Sequence, residues 1–178
     1  EWKNVVIGDL CNSISITHKK KGSEVILINT SDVLEGKVLN HEKVQNKNLK
    51  GQFKKTFQKD DILYSEIRPA NKRFAYIDFD DTSLYIASTK LMVLRPKKDI
   101  VNPHFLFAIL KSKQIIDELQ HLAETRSGTF PQITFGSELS LMPVKLPCMN
   151  TQKKIVSILS SIENKMDYNM KINENLAA

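Results

Sequence analysis

The charge that could do chemistry in this 178-residue chain is concentrated in one stretch. Residues 37–74 hold ten basic side chains (Lys37, Lys43, Lys47, Lys50, Lys54, Lys55, Lys59, Arg68, Lys72, Arg73) and only four acidic ones (Glu42, Asp60, Asp61, Glu66). Residues 1–36 are one charge negative and residues 75–178 one positive, so the whole net charge of +6 belongs to that segment. A localised positive field attracts a polyanion through phosphate contacts and counterion release. The alternative is a solvated lysine-rich face. A membrane surface fits less well, because the segment lacks the pattern of an amphipathic helix. Lysines that meet phosphates position a nucleic acid without reading it, and Lys19, Lys20, Lys21, Lys54 and Lys55 suit that role. Base edges need two-point donors and acceptors, Arg toward guanine and Asn or Gln toward adenine. Arg68, Asn71, Lys72 and Arg73 after one strand, and Arg126, Thr129 and Gln132 after a helix, have that chemistry. Each has a structural alternative: Arg68 could pair with Glu66 or Asp61, and Arg126 could cap a helix C-terminus.

Catalytic patterns are missing. There is no GxxxxGK[ST] phosphate loop, no GxGxxG fingerprint and no GxSxG elbow. His18, His41, His104 and His121 have no metal-binding spacing, and no Asn/Asp-Pro-Pro-Tyr/Phe tetrad of an aminomethyltransferase is present. Asp61 and Glu66 faintly resemble a nuclease carboxylate pair, but Arg68 stands where a Lys is expected. Cys11 and Cys148 can form neither a zinc site of four cysteines nor a disulfide scaffold. They read as free thiols in a reducing cytoplasm. The opening residues lack a signal-peptide layout, and no apolar run is long enough for a membrane span. The start at Glu1 without a Met is compatible with an excised piece or a disordered start.

The elements that must position these residues change character along the chain. Val5–Ile7, Val25–Ile28, 61–65, 74–79, 84–88 and 90–95 read as strands, the last stopped by Pro96. Residues 13–24 read as an exposed loop, and 37–60 as a short strand and a long loop. The strands imply a curved, mainly antiparallel sheet. Asn102 as N-cap and Pro103 at the first helical position open a helix of five to six turns carrying Phe105, Leu106, Ile109, Leu110, Ile116, Leu119 and Leu122. Ser127-Gly128 ends it.

From Thr151 onward there is no Pro or Gly. Ile155, Leu159, Ile162 and Met166 recur at coiled-coil spacing, continued by Asn169, Asn173 and Leu176 and flanked by Ile158 and Ile172. Such a helix is about 39 Å long. Its narrow, Asn-bearing seam favours a partner helix over folding back on the core. The expected class is α+β: residues 1–149 as a domain with a curved, mainly antiparallel sheet and packed helices, and residues 150–178 as a coiled-coil helix.

These patterns together resemble the specificity subunit of type I restriction–modification systems. Trp2 with Ile7-Gly8-Asp9-Leu10 is similar to the opening of a target recognition domain of that family. Ile28-Asn29-Thr30-Ser31-Asp32-Val33 with Gly36-Lys37-Val38 resembles a second motif. Lys59-Asp60-Asp61-Ile62-Leu63-Tyr64-Ser65 resembles a third, with Asp60 where the family has Gly. Ala87-Ser88-Thr89, Leu94-Arg95-Pro96 and Asn102-Pro103 match the strand-to-helix passage, and Ser127-Gly128-Thr129 the turn after that helix. Leu146-Pro147, Gln152-Lys153-Lys154-Ile155-Val156 and Leu159 are similar to the start of the spacer helix, with Cys148 replacing a second Pro. The resemblance implies a non-catalytic reader of double-stranded DNA. It would serve a methyltransferase subunit and a translocating endonuclease subunit, and would join a second recognition half, in a homodimer or a longer chain, through antiparallel helices. It implies no cofactor. A reader fragment of a fused restriction–methyltransferase enzyme and a plain coiled-coil interaction module are the competing readings.

Overall fold

The computed structural model describes residues 1–19, 22–47, 49 and 51–176. Its elements in chain order are β1 (Lys3–Val6), α1 (Ile7–Leu10), β2 (Cys11–Ile14), β3 (Glu24–Ile28), β4 (Val33–Leu34), β5 (Lys37–Val38), β6 (Lys43–Gln45) and β7 (Phe53–Lys55). There follow β8 (Ile62–Ser65), β9 (Phe74–Tyr76), β10 (Tyr85–Ser88), β11 (Leu91–Pro96), α2 (Pro103–Leu110), α3 (Lys113–Arg126), β12 (Pro143–Leu146) and α4 (Met149–Leu176). The class is α+β.

The middle layer is the antiparallel sheet β2-β11-β8-β9. Its strands β8, β9 and β11 are almost wholly buried because both faces are covered. Successive side chains of a pleated strand point to opposite faces. Ile62, Tyr64, Phe74, Tyr76, Met92 and Leu94 accordingly join one core with Phe105, Leu106, Leu110, Ile116 and Leu119 of α2 and α3. The alternate residues Leu63, Ala75, Leu91 and Val93 join a second core with Ile26, Ile28, Tyr85 and Ala87 of the sheet β6-β3-β10-β7. A one-residue slip would exchange the two sets, so burial on both sides fixes the register.

Several sequence expectations need correction. Among the described residues the expected single curved sheet is two four-stranded sheets with two-stranded ribbons β1-β12 and β4-β5, and β10 runs parallel to β3. The expected loop 13–24 begins with the end of β2, which pairs along β11. The long loop of 37–60 contains β5, β6 and β7. The expected long helix is two, because Lys111 ends α2 and the Ser112 side chain caps α3 by accepting from the Ile115 N–H. Helical periodicity passes through such a break unchanged, since both helices lay apolar faces on one core.

Asp60 is in the left-handed region, with φ +68°, which accounts for a glycine in the related motif. Its carboxylate accepts hydrogen bonds from the Tyr76 hydroxyl and, at 2.6 Å, from Lys98 Nζ. Those cross-links hold the strained residue in place.

Helix α4 has 28 residues, about 42 Å at 1.5 Å per residue. Gln152, 1% exposed, fastens its first turn. Its Oε1 accepts from the Asn102 N–H at 2.8 Å, and its Nε2 donates to the carbonyls of Pro147 (2.9 Å) and Ile100 (3.3 Å). Ile155 and Val156 pack on the helix-side core. Beyond them the helix touches the body through charge pairs, Lys111 with Glu163 and Lys37 with Asp167.

Candidate nucleic-acid interface

The two loops that carry the base-edge candidates lie side by side. Ile67 and Gln132 form an antiparallel bridge. Around it the Arg68 N–H donates to the Pro131 carbonyl (3.1 Å) and the Ile133 N–H to the Glu66 carbonyl (2.8 Å). The loop after β8 turns through a short 3-10 segment, Pro69–Asn71, bracketed by Arg68 (φ +44°) and Lys72 (φ +52°) in left-handed conformations. Two non-glycine residues at positive φ in five positions are uncommon.

A second set of strands extends this surface. The Glu66 N–H donates to the Lys90 carbonyl at 3.0 Å, and Lys90 sits in the tight connection between β10 and β11. Its ammonium pairs with Glu66 (3.5 Å) and donates to Gln132 Oε1 (3.3 Å). The Thr89 N–H in turn donates to the Gln52 carbonyl, the His18 N–H to the Lys54 carbonyl, and Thr17 bridges Lys55. Backbone hydrogen bonds therefore link the segments bearing Lys19, Lys54, Lys90, Arg68 and Gln132 one to the next.

Within this surface the candidate side chains divide. Lys55 is half-buried and donates to the carbonyls of Thr89 (2.9 Å) and Leu91 (2.8 Å). Burial holds its ammonium below the ordinary lysine pKa, the pull of Glu66 notwithstanding. Lys72 pairs with Glu35 at 2.8 Å. Arg73 Nη1 donates to the carbonyls of Ser31 (3.1 Å) and Val33 (3.4 Å), tying the turn before β4. Arg126 pairs with Glu138 at 3.1 Å, and Glu138 also accepts from the Thr134 N–H and hydroxyl. Lys19, Lys54, Arg68, Asn71 and Thr129 are exposed, and their side chains make no hydrogen bond or ion pair among the described residues. Lys20 and Lys21 lie outside the described residues.

Asp61 and Glu66 do not form a carboxylate pair. Asp61, 1% exposed, accepts two 2.8 Å bonds from Arg95 and one from the Gln58 N–H. Its hydrogen bonds raise the Arg95 pKa against the effect of burial. Glu66 faces Lys90. No group of three His, Cys, Asp or Glu side chains among the described residues is placed to hold a metal ion. Lys90 and Gln120 were missed from sequence. Lys90 reads as the start of a strand, and Gln120, whose Oε1 accepts from the Ala70 N–H at 3.0 Å, reads as one more polar position of a helix.

The helix-seam residues form a separate surface. Ile155 is partly buried at the root, while Ile158, Leu159, Ile162, Met166, Asn169, Ile172 and Asn173 are exposed, Ile158 at 62% and Met166 at 60%. The Leu176 side chain is outside the described residues. No helix among the described residues is long and apolar enough to cross a membrane.

Comparison with known proteins matches residues 1–178 to the family model "Type I restriction modification DNA specificity domain". The type I restriction enzyme HindI specificity subunit of Haemophilus influenzae is 43% identical over 177 residues, covering 99% of this chain and 38% of that protein. The HsdS subunit of Thermoanaerobacter tengcongensis has the same fold, with a TM-score of 0.81 at 20% identity over 96% of this chain and 44% of that one. A chain solved in work on complex assembly and conformational transition of the type I R-M system gives a TM-score of 0.80, also at 20% identity, with the same coverage of 96% and 44%. The present chain thus spans about two-fifths of the length of these relatives.

Proposed function

The chain belongs to the family of type I restriction–modification DNA specificity domains, and on that premise we propose that it reads one part of a double-stranded DNA target without catalysing a reaction on it. The observation that carries this reading is the bridge between Ile67 and Gln132, which unites two loops of base-reading chemistry beside the exposed lysines. Polar loops cross-linked by backbone hydrogen bonds suit recognition, because little ordering entropy is lost on binding.

In this reading the roles divide by what each side chain already holds. Lys19 and Lys54, with Lys20 and Lys21, meet phosphates. Arg68, Asn71, Thr129 and Gln132 face base edges. Lys55, Lys72, Arg73 and Arg126 hold the loops and lend positive potential. Residues 1–149 act as the recognition domain and 150–178 as a coiled-coil spacer. The exposed stripe from Ile158 to Asn173 seats an antiparallel helix of a second recognition half, in a homodimer or a longer chain. Methyltransferase and endonuclease subunits are the further partners, in the cytoplasm.

The test is binding to duplex DNA over a range of salt. Log affinity should fall linearly with log salt, with a slope of about −0.9 for each phosphate contact. Affinity independent of salt rejects the electrostatic grip. Co-purification with a methyltransferase subunit, followed by mapping of methylated genomic sites, identifies the target.

A further inference from the structure

Arg68 differs from every other basic side chain on the two joined loops. Lys72, Arg73, Arg126 and Lys90 each have a carboxylate or carbonyl partner within the chain. The Arg68 guanidinium has none among the described residues, although its backbone is held from three directions. Its N–H donates to the Pro131 carbonyl, its own carbonyl accepts from the Asn71 N–H, and its φ of +44° turns the chain sharply at that point. A free side chain on a fixed, strained backbone is an arrangement associated with function. The free group is a planar fork that matches the O6 and N7 acceptors of guanine.

Besides these backbone bonds, a side chain from another element holds the strained turn. Gln120 of α3 accepts the Ala70 N–H through Oε1, and its Nε2 is anchored on Glu124 at 2.7 Å. Its helix neighbour Leu119 is fully buried in the core. The turn after β8 is thus tied to a helix fixed by packing.

Resting on the DNA-reading function above, we propose that Arg68 is a specificity-determining residue that contacts a base edge, most suitably guanine, and that Gln120 is its positioning residue. Gln120 itself touches no DNA. It keeps the left-handed turn from relaxing, so that the Arg68 fork meets one base pair in one orientation.

The experiment uses the full-length protein carrying this chain, assembled with its methyltransferase subunit. It compares methylated-site maps, the salt dependence of duplex binding and thermal stability for wild type, Arg68→Ala, Gln120→Leu and the double variant Gln120→Glu with Glu124→Gln. Arg68→Ala should remove discrimination at one base pair, about 5- to 150-fold, with the salt slope unchanged. Gln120→Leu should relax the same base pair, by less, with the melting temperature retained. Gln120→Glu combined with Glu124→Gln keeps an acceptor for Ala70 and a donor–acceptor contact with residue 124, and should retain the preference. Equal weakening on all sequences with a slope smaller by about 0.9 makes Arg68 a phosphate contact and overturns the assignment. An unchanged map for Gln120→Leu alongside a relaxed one for Arg68→Ala overturns the positioning role. Wild type that binds no duplex rejects the underlying function as well, so the two failures are distinguishable.

Discussion

The joined loops and the free length of α4 stand at opposite ends of one physical scale. Around Ile67 and Gln132 backbone hydrogen bonds cross-link the two loops, and Lys72, Arg73, Lys90 and Arg126 have partners within the chain. Along α4 beyond Val156 the apolar side chains Ile158, Ile162, Met166 and Met170 face outward, and the charge pairs Lys111–Glu163 and Lys37–Asp167 tie the helix to the body. The first surface is prepared before any partner arrives. The second carries apolar area whose burial contributes free energy only on association. On the proposed function, one binding face is built by satisfying its polar groups in advance and the other by leaving apolar ones unsatisfied.

The contrast can be broken most forcefully on the helix. Ile162→Glu places a charge in the seam and removes ~2–3 kcal/mol of apolar burial. Association of the 178-residue chain, measured by sedimentation, should fall by at least tenfold with little change in melting temperature. Association equal to wild type would remove the helix from the partner surface. On the loop side the single-contact effects are smaller. Lys54→Ala should reduce the salt slope by about 0.9 and weaken all duplex sequences alike; a shift in sequence preference in competition assays would make Lys54 a reader. Arg73→Ala severs donations to Ser31 and Val33, and a loss of ~1 kcal/mol is expected in denaturant unfolding. The methylated target should stay the same, because this guanidinium acts inside the fold.

The smallest effect belongs to Asp60. Partial burial raises its carboxyl, but the hydrogen bonds from Lys98 and Tyr76 outweigh that and hold it below the ordinary carboxylate range. A group with a lowered folded-state pKa stabilises the fold above its unfolded value, and that contribution disappears as pH falls through the folded value. Asp60→Asn tolerates the left-handed backbone and removes the charge. It should cost less than ~1 kcal/mol near neutral pH, and the difference from wild type should close in acid, as followed by melting temperature against pH.

Much of the fold is legible in the chain. Asn102-Pro103 marks the start of α2 by capping chemistry alone, and the apolar runs within 61–65 and 90–95 mark strands. The spacing Ile155-Leu159-Ile162-Met166 identifies α4 and its exposed seam. The break at Ser112 is hidden, because two helices on one core share a periodicity. The β2 strand is hidden as well: Asn12 and Ser13 are exposed and polar, and the pairing partner that makes them a strand is β11, distant in sequence.

The same division holds at the candidate interface. Residue types and local charge picked out Arg68, Asn71, Arg126, Thr129 and Gln132, since donor geometry and net charge are properties of the side chains themselves. Their adjacency, the inward turn of Lys55 and Arg73, and the grip of Gln120 on Ala70 depend on contacts between segments far apart in the chain. By itself the sequence determined the chemistry on offer, the element types and the amphipathic stem. Only the tertiary structure decided which charges are already paired and which stay free, because pairing is a matter of distance in space, and long-range strand register sets those distances.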